Sequence, residues 1–358
     1  MHAAEPLRVA LIAPPWYPIP PPAYGGIEAM VYALAEDLVA RGHQVTVLGA
    51  GEPDTRARFV PTFPVPPTER LGEALPEVLH AAHVTQLLGQ LDVDVVHDHS
   101  LAGPLAAVGR SVPTVLTVHG PVDGELGAYY RWLGLPLVAI SDFQRHTAAP
   151  DLPWAGRVYN AVPVPSFPYR QDKQDFCLFL GRMCPEKAPD LAIVAAHAAG
   201  LPIVVAGKCT EPAERRYFQD KVWPLLGPDD TWVGEADAHD KRDLLSRARC
   251  LVFPVQWDEP FGLVMIEAMA CGTPVVALRG GSVPEVLDHG VTGWICQEPA
   301  ELVRRIVQAD RIGPAACRRR AERLFDVAGM VTGYERVVPA DRRPSREPGR
   351  DLRLLTAS

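Results

Sequence analysis

Phe176-Cys177-Leu178-Phe179-Leu180-Gly181-Arg182-Met183-Cys184-Pro185-Glu186-Lys187 is the stretch whose reading decides how the chain divides. Five consecutive apolar residues closed by a glycine read as a strand, and the charged loop after them leads into a helix. Immediately upstream, Asn160-Ala161-Val162-Pro163-Val164-Pro165-Ser166-Phe167-Pro168 is dense in proline, and Gln171-Asp172-Lys173-Gln174-Asp175 is polar. That is the composition of an interdomain linker, so the strand at 176–180 opens a second unit. Downstream, apolar runs near 203–206, 231–233, 251–253 and 275–277 alternate with segments of helical period. Upstream, runs near 8–13, 45–48, 94–97, 114–118 and 137–140 do the same. In the first half Ile27, Met30, Val31, Leu34 and Leu38 fall at i, i+3, i+4, i+7 and i+11, the stripe of an amphipathic helix that starts directly after Gly25-Gly26. The pattern of βαβ units around a parallel sheet therefore occurs twice, and the fold class is α/β.

The composition agrees with two full cores and narrows the partners. The chain has 358 residues, 47% hydrophobic and 22% charged, about two domains by length. With 35 Lys+Arg against 43 Asp+Glu the formal charge is -8, which gives no reason to expect nucleic acid or an anionic membrane surface; an anion would have to be bound locally. Cys177, Cys184, Cys209, Cys250, Cys271, Cys296 and Cys317 are odd in number and lack paired metal spacing. They read as reduced, mostly buried thiols of a cytoplasmic protein. The N-terminus lacks the basic flank and long apolar core of a signal peptide, and no run is long enough to span a bilayer, so no stable membrane insertion is expected. Residues 341–358 lack apolar period and are expected to be disordered.

Three loops carry groups suited to a phosphorylated ligand. In Pro22-Ala23-Tyr24-Gly25-Gly26-Ile27 two glycines allow close backbone approach, and the helix start behind them offers unpaired N–H groups and a positive dipole end. A diglycine is also the composition of a plain strand-to-helix turn, and the G-x-G-x-x-G dinucleotide spacing is absent. In Gly181–Lys187 two cations five residues apart, Arg182 and Lys187, follow a strand, where open α/β sheets bind ligands; the guanidinium can take two oxygens and the ammonium acts as a point charge. In Asp258-Glu259-Pro260-Phe261-Gly262-Leu263-Val264-Met265-Ile266-Glu267 a loop precedes a helix, with Glu259 before it and Glu267 two turns later. Glu259 could be a simple dipole partner and Glu267 an exposed helix residue. But Glu267 sits among Val264, Met265, Ile266, Ala268, Met269 and Ala270, where a carboxylate is costly to bury without a partner.

On these residues the chain resembles the retaining GT-B glycosyltransferases of family 4, the group that includes sucrose synthase-like, glycogen synthase-like and mannosyltransferase enzymes. Glu259-x7-Glu267, Gly181-Arg182-x4-Lys187 and Gly25-Gly26 occur in the family's order, and the similarity extends over roughly residues 7–338. The resemblance implies two Rossmann-like domains whose parallel sheets face a central cleft: an acceptor domain over 1–168, a nucleotide-sugar donor domain over 169–325, and a helix at 326–340 that packs back on the first. It implies that Arg182 and Lys187 bind the donor diphosphate, that Glu259 holds donor-sugar hydroxyls and Glu267 the ribose, and that the backbone of Phe261, Gly262 and Leu263 approaches sugar and phosphate. The amides of Gly25-Gly26 would face the distal phosphate, and Gly234 would lie near the base.

His119, before Gly120-Pro121, corresponds to the family histidine beside the donor sugar, although a lone histidine after a strand is equally a structural residue. His97-Asp98-His99 has metal-type composition. GT-B enzymes generally work without an ion, however, so no metal and no cofactor is expected, and His99 and Tyr24 are placed on the acceptor side. The reaction implied is transfer from an NDP-sugar, UDP- or GDP-linked, to an acceptor hydroxyl of a small molecule, natural product or saccharide, with front-face attack and no dedicated protein base. Two other readings stand beside it, a nucleotide-sugar epimerase of the same architecture and a non-catalytic two-lobed binder, the second belonging to an exported class.

Overall fold

A computed structural model of the chain describes residues 6–338. Its first sheet comprises β1 (Arg8–Ile12), β2 (Gln44–Ala50), β3 (Arg58–Phe63), β4 (Val95–Asp98), β5 (Thr114–Val118), β6 (Leu137–Ala139) and β7 (Trp154–Arg157), ordered β3-β2-β1-β4-β5-β6-β7. The second comprises β8 (Gln174–Leu180), β9 (Ile203–Ala206), β10 (Thr231–Trp232), β11 (Ala248–Phe253), β12 (Val275–Leu278) and β13 (Gly293–Cys296), ordered β10-β9-β8-β11-β12-β13. Every pairing within the two sheets is parallel. In both, the chain steps outward from its first strand and then returns to that strand's other side. This reversal opens a crevice at the carboxyl ends of β1/β4 and of β8/β11, where doubly wound sheets take ligands. The fold is thus the two-domain α/β architecture of the GT-B class.

The central strands form because their residues are apolar on both faces. Leu11, Val47, Val115, Leu178, Leu251 and Val276 are each fully or almost fully buried, and each such side chain contributes roughly 1.5–3 kcal/mol of transfer free energy. Helix Gly26–Ala40 buries Met30, Val31, Leu34 and Leu38, while Ile27 is only partly covered. Three strands are absent from the sequence-based set: β3, β7 and β13. All three are sheet edges, where one neighbour is missing and a continuous apolar run is not required; β3 carries Pro61, tolerated at an edge because no ladder donor is needed there.

The segment between the lobes is ordered and packed, with Val164 and Phe167 buried in the second lobe's core. The chain later returns beside it, Val162 N donating to Phe325 O at 3.0 Å. Helix Val327–Val337 then lies on the first lobe, burying Met330, Val331 and Tyr334 against Met30 and Leu34. Arg41 Nη1 fixes that helix through Glu335 at 2.7 Å. The expected disorder of 341–358 lies outside the described residues. Among the described residues no helix is long and apolar enough to cross a membrane, and all seven cysteines are free thiols, six of them buried.

Candidate active site

Each lobe aims strand-end loops at the gap between them. Behind β1 the chain reaches Gly25, with φ +135°, which starts helix Gly26–Ala40 without a side-chain cap. A Cβ on Gly26 would lie 2.9 Å from Leu263 Cδ1, so the two lobes meet here. In the second lobe β8 delivers Gly181–Lys187 and β11 delivers the loop ending at Gly262, with helix Leu263–Ala270 behind it. These loops enclose a cavity of about 500 Å3 lined by Tyr24, Gly25 and Gly26 from one side and by Gly181, Arg182, Lys187, Glu259, Gly262, Leu263 and Glu267 from the other.

Close backbone passage shapes the second-lobe wall. Gly207 has φ +151°, and a Cβ there would land on the carbonyl oxygen of Gly181, so the end of β9 runs directly against the Arg182 loop. Gly207 N also donates to Gly234 O at 2.8 Å, which ties Gly234 to the same wall. The Glu259 loop is braced from 281–282: Gly281 N donates to Asp258 Oδ1 at 2.9 Å, Ser282 N to Glu259 O at 2.9 Å and Ser282 Oγ to Phe261 O at 2.8 Å. Phe261 itself turns inward, its ring 5.9 Å from those of Tyr159 and Phe325, so only its backbone is available to the cavity.

Both glutamates are buried and both have cationic partners, which answers the cost noted for a carboxylate among apolar neighbours. Glu259 Oε2 forms an ion pair with Lys187 Nζ and accepts from Trp257 Nε1 at 3.1 Å; the Lys187 ammonium also lies 5.1 Å from the Trp257 ring centre. Glu267 Oε1 accepts from Lys241 Nζ at 2.6 Å. A third cation, Lys208, is 2% exposed at the cavity wall and is held by Glu211 and by Glu214 Oε2 at 3.1 Å. Arg182 Nη1 stands 3.7 Å from the same Glu214. The wall is therefore a lattice of cations with compensating carboxylates, and desolvated pairs of this kind persist only when each charge keeps a partner.

Tyr24 sits with this second-lobe group and not with His99. Its N donates to Glu235 Oε1 at 3.0 Å, its ring centre is 5.8 Å from Lys208 Nζ, and nearby Ala238 N donates to Pro22 O at 3.2 Å.

The histidines gather separately, at the ends of β4 and β5, and do not line that cavity. His99 Nδ1 and His119 Nε2 share a hydrogen bond of 3.0 Å, and His97 Nε2 bonds Thr117 Oγ1 at 2.8 Å, whose hydroxyl donates to Tyr334 OH at 3.2 Å. Burial pushes His97 and His119 down to about 3 and His99 well below its ordinary value. All three are neutral imidazoles at physiological pH, so they donate or accept single hydrogen bonds and do not supply charge. Asp98 points elsewhere: its Oδ1 accepts from Ser100 N at 2.8 Å and Ser100 Oγ at 2.7 Å, and burial raises it to about 7. Among the described residues the one triad spaced to hold an ion is Asp237, His239 and Asp240, all exposed.

Lys208, Glu235 and Lys241 were not singled out from sequence. Lys208 had a signal: it follows the apolar run 203–206 and a glycine, as Arg182 follows 176–180 and a glycine. Lys241 lies mid-helix and had none.

Comparison with known proteins matches this architecture lobe by lobe. The family model described as Glycosyltransferase Family 4 matches residues 24–152, and that described as Glycosyl transferases group 1 matches residues 166–321. The glycogen synthase of Mycobacterium tuberculosis is 26% identical, covering 96% of this chain and 97% of its own. The phosphatidyl-myo-inositol mannosyltransferase of Mycobacterium leprae is 25% identical over 92% and 96%. Among solved structures, AviGT4, a glycosyltransferase involved in avilamycin A biosynthesis, is 26% identical with a TM-score of 0.70 over 92% of this chain and 96% of its own. The Anabaena protein HepE, in complex with UDP and glucose, shares the fold at 18% identity and a TM-score of 0.72, over 92% and 98%. Matched in tandem across both lobes, the chain belongs to the group 1, family 4 glycosyltransferases of GT-B fold.

Proposed function

We propose that the chain is a retaining glycosyltransferase that moves a sugar from a UDP- or GDP-linked donor to a hydroxyl of a small-molecule, natural-product or saccharide acceptor. The observation that carries this reading is the single cavity that gathers glycine amides, two loop cations and two buried carboxylates. In the transition state the bond from the anomeric carbon to the phosphate oxygen breaks while the bond to the acceptor oxygen forms on the same face. Negative charge grows on the leaving phosphate. Arg182, able to bind two oxygens, Lys187 as a point charge and the amides at Gly25-Gly26 stabilise that charge. Glu259 positions the donor-sugar hydroxyls and Glu267 the ribose. Phe261, Gly262 and Leu263 offer backbone to sugar and phosphate, and Gly234 stands toward the base. The acceptor proton passes to the departing phosphate oxygen, so no protein base is needed, and a neutral His119, at the end of β5 beyond the lining of that cavity, serves as a hydrogen-bond partner of a donor sugar that reaches past it. His99, bonded to His119, extends that surface toward the acceptor. Residues 1–168 then form the acceptor unit, 169–325 the donor unit, and the helix within 326–340 a tie between them.

The test begins with thermal-shift titration by UDP, GDP and ADP, since a ligand that binds only the folded chain raises stability with the logarithm of its excess. UDP-glucose is the first donor to assay, in view of the Anabaena complex. Arg182→Ala and Glu259→Ala are expected to stay folded and lose transfer by about 100- to 1000-fold, the scale of one preorganised charge-stabilising group. Near-parent turnover in either would refute the role given to it. A single product epimeric to the donor sugar, formed without acceptor, would identify an epimerase instead.

A further inference from the structure

Gln144 lies outside the cavity and carries no reactive group, yet its buried side chain is fully engaged. Its Oε1 accepts from Ile140 N at 2.9 Å, and its Nε2 donates to Val118 O at 2.9 Å and to Gly120 O at 2.8 Å. Those two carbonyls flank His119. The side chain thus staples the His119 turn to the end of β6 and to its own helix, Asp142–Thr147. A glutamine is suited to this task because one planar amide offers two donors and an acceptor.

The same helix is held from the other lobe. Glu285, in Val283–Val286, accepts from Asp142 N at 2.7 Å and from Phe143 N, and from Tyr159 OH at 3.2 Å. These are bonds to a carboxylate, the stronger kind. Arg157 steadies the arrangement, its Nη2 3.3 Å from Asp142 and its guanidinium 3.7 Å from the Tyr159 ring centre. Three and four residues before Glu285, Ser282 and Gly281 brace the Glu259 loop. One continuous segment, 281–285, therefore grips the Glu259 loop at one end and, at the other, the helix that fixes His119.

We propose that Glu285 and Gln144 are positioning residues that hold His119 and Glu259 in register across the cleft, so that the two flanks of the donor-sugar site are aligned only while Glu285 retains the Asp142–Thr147 helix. This rests on the donor-site reading of His119 and Glu259. Nucleoside diphosphate binding, which depends on Arg182 and Lys187, is outside the coupling, whereas turnover of the sugar is inside it.

Hydrogen–deuterium exchange on the full chain, which needs no substrate, decides the coupling. In Glu285→Ala the amide of Ile140, which donates to Gln144 Oε1, and those of Asp142 to Gln144 are expected to exchange about fivefold faster or more, with those of β9 unchanged, as loss of a capping acceptor loosens one local unit. UDP and GDP affinities should stay within about twofold of the parent while turnover of UDP-glucose or GDP-mannose falls about tenfold or more, a split that a general loss of folding does not produce. Glu285→Gln, which keeps an acceptor oxygen, should recover part of both effects. Unchanged exchange at Ile140 and Gln144 in Glu285→Ala would overturn the proposal, and so would equal losses of nucleotide binding and turnover. Failure of the underlying site reading has its own signature, a fully active Glu259→Ala, and leaves the exchange result to stand or fall by itself.

Discussion

Lys208 is a cation that the fold keeps almost out of water, between Glu211 and a Glu214 that is itself 3% exposed. Removing one member of a buried pair leaves the other charge with its desolvation uncompensated. Lys208→Met is therefore expected to cost about 3 kcal/mol, more than its lost apolar packing, and Lys208→Met with Glu214→Gln should regain part of that. Thermal melts of the three proteins check it, and a single variant as stable as the parent would contradict the pairing. At this scale the sequence was readable wherever a residue's meaning depends on its own loop. Gly25, Gly26, Arg182, Lys187 and Glu259 follow a strand or open a helix, Glu267 lies within helix Leu263–Ala270, and all six line one cavity. It was unreadable where meaning depends on which strands are neighbours. Lys208 matters because β9 lies beside β8, which brings 207–208 against 181–182, and His99 meets His119 because β4 lies beside β5.

Strand adjacency is a property of elements, and glycines test it. Gly207→Ala would drive a methyl group into the carbonyl of Gly181 at a φ of +151° that side chains rarely adopt. The ends of β8 and β9 must then part, and the Arg182 loop moves with them. Gly26→Ala differs, because Gly26 is helical and its added methyl meets only the movable tip of Leu263. Its helix gains up to about 1 kcal/mol from the better residue while the lobes are pushed apart. Gly207→Ala is accordingly expected to melt several degrees lower and to lose the stabilisation by UDP or GDP. Gly26→Ala should melt near the parent and show only a weakened nucleotide shift. The reverse ranking in melting temperature would sink this account of the wall. The same distinction bears on the strands that were not read, although β10, also an edge, was. β1, β8, β11 and β12 are covered on both faces and paired on both edges, so their apolar runs are unbroken. β3, β7 and β13 have one free edge; Pro61 and Gly156 interrupt the runs of β3 and β7, and β13 offers only Trp294-Ile295-Cys296 after Gly293.

For the molecule as a whole, the first lobe stores neutral groups of opposite kinds, and their balance sets the response to pH. Burial lowers His80 to about 4, His97 and His119 to about 3, and His99 well below its usual value. Burial also raises Glu28 to about 8 and Asp98 to about 7, and raises Glu77. Between about pH 4.5 and 6.5 unfolding lets each of these histidines take up a proton and makes Glu28 and Asp98 each release one. The histidines contribute stability that is complete above their unfolded value and lost as pH falls; the carboxyls contribute stability that is complete at low pH and lost as pH rises toward their folded values. Four uptakes against the two releases of Glu28 and Asp98 leave about two protons, a slope of about 2.7 kcal/mol per pH unit where the histidines alone would give about 5. The melting temperature is thus expected to peak near pH 6.5 and to fall gently on both sides. Glu28→Gln with Asp98→Asn removes both releases, so the acid limb should steepen about twofold in protons while the alkaline limb flattens. Melts at pH 5, 6, 7 and 8 measure both limbs. An acid limb no steeper in the double variant than in the parent would mean that these carboxyls are already ionised in the folded chain, and that the histidines are stabilised in their neutral form by something other than the burial the two sets share.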